Sequence, residues 1–278
     1  MNKIVLITGC SSGIGKSLAR QFALRGHTVI AGARNTNAIT SLGDSVHPIR
    51  LDVTDADEIS QAVSYVKNKF GRLDLLINNA GYGAMGPVAE VPLPQVQKQF
   101  STNVYAPLAL TQMFLPLLKQ STSSIVVNIG SAAGVFTVPF SGIYGASKAA
   151  LHALSDVLRM ELKPFGIHVM TVYPGAVASD FGETAANKLK DTLASDSAYA
   201  KALPAIEKRA RISSNSPTTP DMFADELIAA LSANRPKDSI RIGYGSRLMF
   251  LAKAILSSSL RERLLGNSYM LTRSKLGA

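Results

Sequence analysis

A doubly wound α/β fold, with a parallel sheet of about seven strands and helices on both faces, is what this sequence predicts, and three observations predict it. Short Val/Ile/Leu-rich runs alternate with helix-length segments along residues 3–180. The runs are apolar throughout instead of alternating with polar residues, the pattern of strands buried on both faces. A glycine-punctuated turn, Gly9, Gly13 and Gly15, joins the first run to the first helical segment. Strands separated in this way pair in parallel through crossovers, which covers both faces of the sheet.

Strands are expected at KIVLIT (3–8), TVIAGA (28–33), HPIRLDV (47–53), LDLLINNA (73–80), SIVVNIGS (124–131), HVMTVYPG (168–175) and IRIGYG (240–245). Apolar residues at helical spacing predict helices over Gly15–Arg25, where Leu18, Phe22 and Leu24 recur, and over Asp57–Phe70 and Gln95–Leu118. A further helix spans Tyr144–Lys163, stopped by Pro164, and the last runs over Met222–Leu231. Residues 179–220 are polar and Ala/Lys/Ser-rich, as expected of mobile helices or a lid over a cleft. Residues 246–278 read as a helical extension that mixes an apolar stripe with Arg247, Lys253, Arg261 and Arg263. The whole, 1–278, reads as one domain whose core is 1–178.

The chain has 278 residues, 46% hydrophobic and 17% charged, a globular composition outside the disordered range. Its one cysteine, Cys10, permits no internal disulfide and reads as a small loop residue. Asn2 and Lys3 lead straight into a strand, so no secretory segment is expected, and the apolar run from Leu248 past Lys253 to Leu256 is too short to span a bilayer. A soluble, cytoplasmic protein is expected, peripheral to a membrane at most. The 29 Lys and Arg against 19 Asp and Glu give +10, which attracts anions generally. The basic residues are scattered, without the aromatic-interleaved stripe of a nucleic-acid binder, and no nucleic-acid partner is expected. His27, His47, His152 and His168 have no metal-ligand spacing, and no metal is expected.

A strand that turns tightly into a helix while its backbone approaches a pyrophosphate needs glycine, and Thr8 to Gly15 supplies it in a G-x-x-x-G-x-G array. The first N–H groups of the following helix then face the phosphates along a favourable dipole. At the end of the second strand an NAD site places an acid for the ribose 2′-hydroxyl. Here Ala31, Gly32 and Ala33 lead instead to Arg34, which favours a 2′-phosphate and so NADP(H) over NAD(H); a solvated surface arginine is the alternative. Asp52 ends the third strand, where it either meets the adenine edge or caps the helix beginning near Asp55.

Tyr144-x-x-x-Lys148 puts both side chains on one helix face, so the ammonium can stabilise a phenolate whose ordinary pKa near 10 is too high for acid–base work at neutral pH. A second copy, Tyr65 and Lys69, lacks any strand-end serine before it and reads as a surface pair. Together, Thr8-Gly-x-x-x-Gly-Ile-Gly15, Asn78-Asn79-Ala80-Gly81, Asn103, Ser131, Tyr144-x-x-x-Lys148 and Pro174-Gly175 resemble, in order and spacing, the short-chain dehydrogenases/reductases, a Rossmann-type family. The resemblance covers residues 3–180 and implies an oxidoreductase.

By resemblance, Tyr144 is the acid/base, Ser131 binds the substrate oxygen, Lys148 also holds the nicotinamide ribose, and Asn103 keeps a water that links Lys148 to solvent. The implied cofactor site joins Thr8, Gly9, Ser12, Gly13, Ile14 and Gly15 to Arg34, Asp52, Asn79, Ala80 and Gly81, then to Tyr144, Lys148, Pro174, Gly175, Val177 and Ser179. Ser179 stands where the family commonly has threonine. The family's dimers and tetramers make a homo-oligomer the expectation.

Phe136, Val138 and Phe140 before Tyr144, with Met85, predict a pocket for a hydrophobic ketone or alcohol. Residues 133–169 look most like the branch of 17β-hydroxysteroid dehydrogenases and 1-acyldihydroxyacetone-phosphate reductases, so steroid, retinoid and acyl-lipid carbonyls all fit. Leu248–Leu256 is expected either to lie on an anionic membrane or to pack on the core or a partner subunit. A non-catalytic dinucleotide-binding sensor is the rival function on the same fold.

Overall fold

In a computed structural model of the chain, which describes residues 2–189, 192, 193, 196–214 and 216–276, seven parallel strands form one sheet in the order β3-β2-β1-β4-β5-β6-β7. They are β1 (Ile4–Thr8), β2 (Thr28–Ala33), β3 (Val46–Arg50), β4 (Leu75–Asn78), β5 (Ser124–Ile129), β6 (Ile167–Pro174) and β7 (Ser239–Ile242). The doubly wound α/β prediction therefore holds, and every expected strand is present. β3 ends at Arg50, short of the predicted Val53. It is an edge strand, which is where a strand residue such as Pro48 is tolerated, having no N–H to give.

β1, β4 and β5 are buried at every residue, as the unbroken apolar runs require. On one face, α1 (Gly13–Leu24) and α8 (Pro220–Leu231) bury Leu18, Phe22, Phe223 and Leu227 against β1, β2, β5 and β6. On the other, α2 (Ala56–Phe70) and α4 (Ala106–Leu118) bury Ile59, Val66, Leu110 and Phe114. Asp55 caps α2 by accepting from the N–H groups of Asp57 and Glu58, so the capping role considered for Asp52 belongs to Asp55.

The single helix predicted over Gln95–Leu118 is a continuous rod with a widened middle. α3 (Leu93–Phe100) passes through a π-helical turn at Ser101–Tyr105 into α4. One extra residue per turn there rotates Asn103 inward, where it is wholly buried. α5 (Gly142–Leu162) carries the buried stripe Tyr144, Lys148, His152 and Ser155 towards the sheet.

Within the predicted lid, residues 190, 191, 194, 195 and 215 lie outside the described residues; the rest forms α6 (Phe181–Asn187), α7 (Leu203–Ala210) and short turns. These pack with Phe140 and Tyr144 in a third apolar cluster, which Tyr269, Met270 and Leu271 join from beyond α9 (Ser246–Ile255) and α10 (Ser258–Ser268). Of the stripe from Leu248, Met249 and Phe250 are half-buried, the Phe250 ring 5.0 Å from that of Tyr173, while Leu248, Leu251 and Ile255 are exposed. The core-packing expectation thus fails for those three residues. Among the described residues no helix is long and apolar enough to cross a membrane.

The turn from β1 into α1 is tight enough to leave no room for a side chain at Gly15, where a Cβ would sit 2.3 Å from Gly9 O and 2.5 Å from Asn79 Nδ2. Gly15→Ala should therefore cost about 1–3 kcal/mol of stability, as overpacking does. Chemical denaturation checks this, and an unchanged midpoint would refute it.

Candidate active site

A parallel sheet whose order reverses between β1 and β4 leaves a crevice at the C-terminal strand ends. A cavity of about 990 Å³ occupies it, running from the Gly9–Ile14 turn past Gly81, Ser131 and Tyr144 to Arg209 and Tyr269.

Hydrogen bonds between loops build the nucleotide end. Thr8 Oγ1 accepts from the N–H groups of Asn79 and Ala80 at 3.0 Å each, and Asn79 Nδ2 donates to Thr8 O at 2.8 Å. Thr8 and Gly15, expected to touch the cofactor, do not line the cavity; they shape the turn that does. Gly9, Ser12, Gly13 and Ile14 line it, as do Ala80 and Gly81. Ser12 caps α1 without a side-chain bond. A Cβ on Gly13 would approach the Ser179 Cβ at 3.2 Å, so the segment after β6 (Pro174, Gly175, Val177, Ser179) faces the turn across the cleft. Arg34 and Asp52 flank the far end. Arg34 is exposed and in no ion pair among the described residues. Asp52 accepts from the Thr54 N–H and hydroxyl, and these bonds with the charges of Arg34 and Arg50 outweigh its partial burial and lower its pKa. A bare helix N-terminus facing glycine, and a free cation at the end of β2, fit a dinucleotide that carries a 2′-phosphate.

The catalytic candidates come from three elements. Tyr144, on the first turn of α5, lies close enough to Ser131, just past the end of β5, for the serine side chain to favour its phenolate. Burial raises its pKa, while the Ser131 side chain and the Arg209 charge pull the other way. Lys148 Nζ donates to Ile129 O at 2.7 Å and lies 6.0 Å from the Tyr144 ring centroid. Burial lowers the Lys148 pKa to about 8. Arg209, whose charge acts on the same phenol, is also nine-tenths buried.

Asn103 does not line the cavity. Its Nδ2 donates to Tyr82 O at 3.0 Å and Ser147 Oγ at 3.1 Å, and its Oδ1 accepts from the Tyr82 N–H at 3.2 Å. The amide thus pins the loop after β4 to α5. Tyr65 and Lys69 form a pair at the helix surface, joined at 3.2 Å, with the Tyr65 ring half-buried against the core and Lys69 exposed. Cys10 is wholly buried and its thiol pKa is pushed up, so it is no nucleophile.

Phe136, Val138 and Met85 line the substrate half, as expected. Phe140 does not: its backbone is left-handed, φ 62°, and its ring packs behind the wall against Tyr199 and Tyr269. Sequence reasoning passed over four residues here. Phe181 sets its ring 5.5 Å from that of Tyr144, Arg209 and Tyr269 close the far end, and His152 supports Ser131. Only His152 carried a local signal, four residues after Lys148 on the same helix face.

The Ser131 N–H donates to His152 Nε2 at 3.3 Å, and a Cβ on Gly130 or Gly134 would collide with the imidazole. Burial first, then the Lys148 charge, lowers the His152 pKa from 6.5 to about 4, so the ring stays neutral and can accept. Between pH 6.5 and 4 the unfolded chain takes up a proton there that the folded one refuses, so stability falls with pH across that window. The loss should be on the order of 3 kcal/mol. Denaturation midpoints across this range should fall less in His152→Gln; equal slopes would refute the assignment.

Comparison with known proteins agrees with this geometry. The short chain dehydrogenase family model matches residues 3–190. A probable short-chain type dehydrogenase/reductase of Helicobacter pylori is 33% identical, over 92% of this chain and 94% of that protein. An NADPH-dependent 1-acyldihydroxyacetone phosphate reductase of Saccharomyces cerevisiae is 31% identical, over 90% of this chain and 85% of that protein. A short-chain dehydrogenase structure from Streptomyces avermitilis superposes with a TM-score of 0.79 at 30% identity, over 95% of this chain and 96% of that one. With the family model, the relatives and the paired Tyr144 and Ser131 above Lys148 in agreement, this chain belongs to the short-chain dehydrogenase family of oxidoreductases, which act on CH–OH or carbonyl groups.

Proposed function

We propose that the protein is an NADP(H)-dependent oxidoreductase that interconverts a hydrophobic ketone and its secondary alcohol, with Tyr144 as acid/base. The observation that carries this reading is Tyr144, buried beside Ser131 in the wall of a cleft that joins a glycine turn at a helix N-terminus to an apolar pocket. The dinucleotide, when bound, supplies or accepts the hydride. In the reductive direction Ser131 Oγ orients the carbonyl oxygen and the Tyr144 hydroxyl gives it a proton. Burial favours the protonated phenol, the form an acid requires, and the Arg209 charge limits the cost of the phenolate left behind. Lys148, buried and held on Ile129 O, adds a second positive charge at the catalytic helix. A water on Asn103 linking Lys148 to solvent belongs to the same proposal. The yeast relative's NADPH dependence and the cation at Arg34, without a ribose-binding acid, support NADP(H). The apolar Met85, Phe136 and Val138 support a hydrophobic substrate of steroid, retinoid or acyl-lipid type. Val157 and Met160, exposed on α5, suit self-association.

NADPH oxidation against a panel of hydrophobic ketones tests the reading, and Tyr144→Phe should slow it by about 10²–10⁴-fold at unchanged NADPH affinity. NADPH binding with no turnover of any ketone would shift weight to the non-catalytic sensor. Arg34→Asp should replace a charge-assisted phosphate contact by repulsion, lowering the NADPH-to-NADH ratio of kcat/KM by about tenfold or more. An unchanged ratio would return Arg34 to the role of a solvated surface residue.

A further inference from the structure

Arg209 ends α7 inside the substrate half of the cleft, only 7% exposed. Its Nε donates to Ser141 Oγ at 3.3 Å, and its remaining guanidinium nitrogens have no hydrogen-bond partner among the described residues. No described carboxylate pairs with it; Arg211, two residues on, takes Glu183. Ser141 is the N-cap of α5, so this cation sits at the positive end of a 21-residue helix dipole. The other side chains that act on its charge are the phenols of Tyr144 and Tyr269. Ser213, on the same wall, has a buried Oγ that also lacks a partner among the described residues. A buried guanidinium without a counter-ion is costly, and proteins keep one where a ligand completes it.

Building on the oxidoreductase reading, we propose that Arg209, with Ser213 beside it, binds an oxyanion carried by the carbonyl substrate, either a carboxylate or a phosphate, and so sets substrate specificity. The substrate is then amphiphilic. Its apolar body lies against Met85, Phe136 and Val138, its carbonyl meets Ser131 and Tyr144, and its anion sits close to that carbonyl, because the Arg209 charge already reaches the Tyr144 hydroxyl.

Binding and turnover test this separately. In calorimetry with the NADP⁺-loaded protein, decanoate or decyl phosphate should bind about 10–100-fold more tightly than decanol. The tighter of the two names the anion. Arg209→Met should bring all three to one affinity, and Arg209→Lys should keep part of the preference. In turnover, a long-chain γ-keto acid and an acyldihydroxyacetone phosphate are each paired with an uncharged form, the methyl ester or the dephosphorylated ketone. Arg209→Met should raise KM for the anionic member of each pair and lower its kcat/KM by about tenfold more than that of the neutral one. Its melting temperature should not fall below that of wild type, since an uncompensated buried charge is removed. Equal affinities of the three amphiphiles in wild type would overturn the proposal. So would an equal loss on anionic and neutral ketones, which marks Arg209 as support for Tyr144. If wild type and Tyr144→Phe are equally inactive on every ketone, the oxidoreductase reading falls, while calorimetry still decides Arg209.

Discussion

The hydrogen bonds between Thr8 and Asn79 hold the two halves of the sheet's crevice in register, and the site depends on them. A parallel sheet that reverses its order at β1 and β4 leaves both strand ends with unpaired backbone groups and nothing between them. Asn79 Nδ2 answers the carbonyls of Thr8 and Gly9, and Thr8 Oγ1 answers the N–H groups of Asn79 and Ala80. The glycine turn is thereby fixed against the loop that leads on to Gly81 and Tyr82. Asn103 then fixes that loop against α5, and α5 carries Tyr144 and Lys148. Polar side chains that touch no substrate thus form one connected scaffold from the first strand to the reacting groups.

The second organising fact is positive charge held out of water. Lys148 and Arg209 are both nearly buried in the neighbourhood of Tyr144, and desolvation lowers the pKa of each. Neither has a carboxylate partner among the described residues. Such a cleft is unfavourable to the empty fold and favourable to anything negative, whether a pyrophosphate, a developing alkoxide or a charged ligand. The net charge of +10 extends the same bias to long range.

Much of this was legible in the sequence because it depends on local patterns. Strands buried on both faces are apolar throughout, the β1–α1 glycines stand one after another, and Tyr144 and Lys148 are one helical turn apart. Other features depend on contacts between distant segments. Nothing near Arg209 says that it meets Ser141, and nothing near Tyr269 says that it reaches the ring of Phe140. Asn103 was placed on the right helix but not in its π turn, since the periodicity of residues 95–118 is smooth enough for an ordinary α-helix. Phe140 was expected on the pocket wall because its neighbours are, yet its left-handed backbone turns it behind them. Asp52 and Asp55 both suit a helix start, and only hydrogen-bond geometry separates them.

The widened turn at Ser101–Tyr105 also bears on how this region can change in length. A π turn holds one residue more than the helix on either side of it needs. Deleting one residue there would restore a regular ladder and leave both flanks close to their present orientation, while removing the widening that turns Asn103 inward. The amide of Asn103 would then face away from Tyr82 and Ser147. Length in this stretch is therefore constrained by orientation more than by stability, so insertions and deletions should be tolerated less here than a helix surface would suggest.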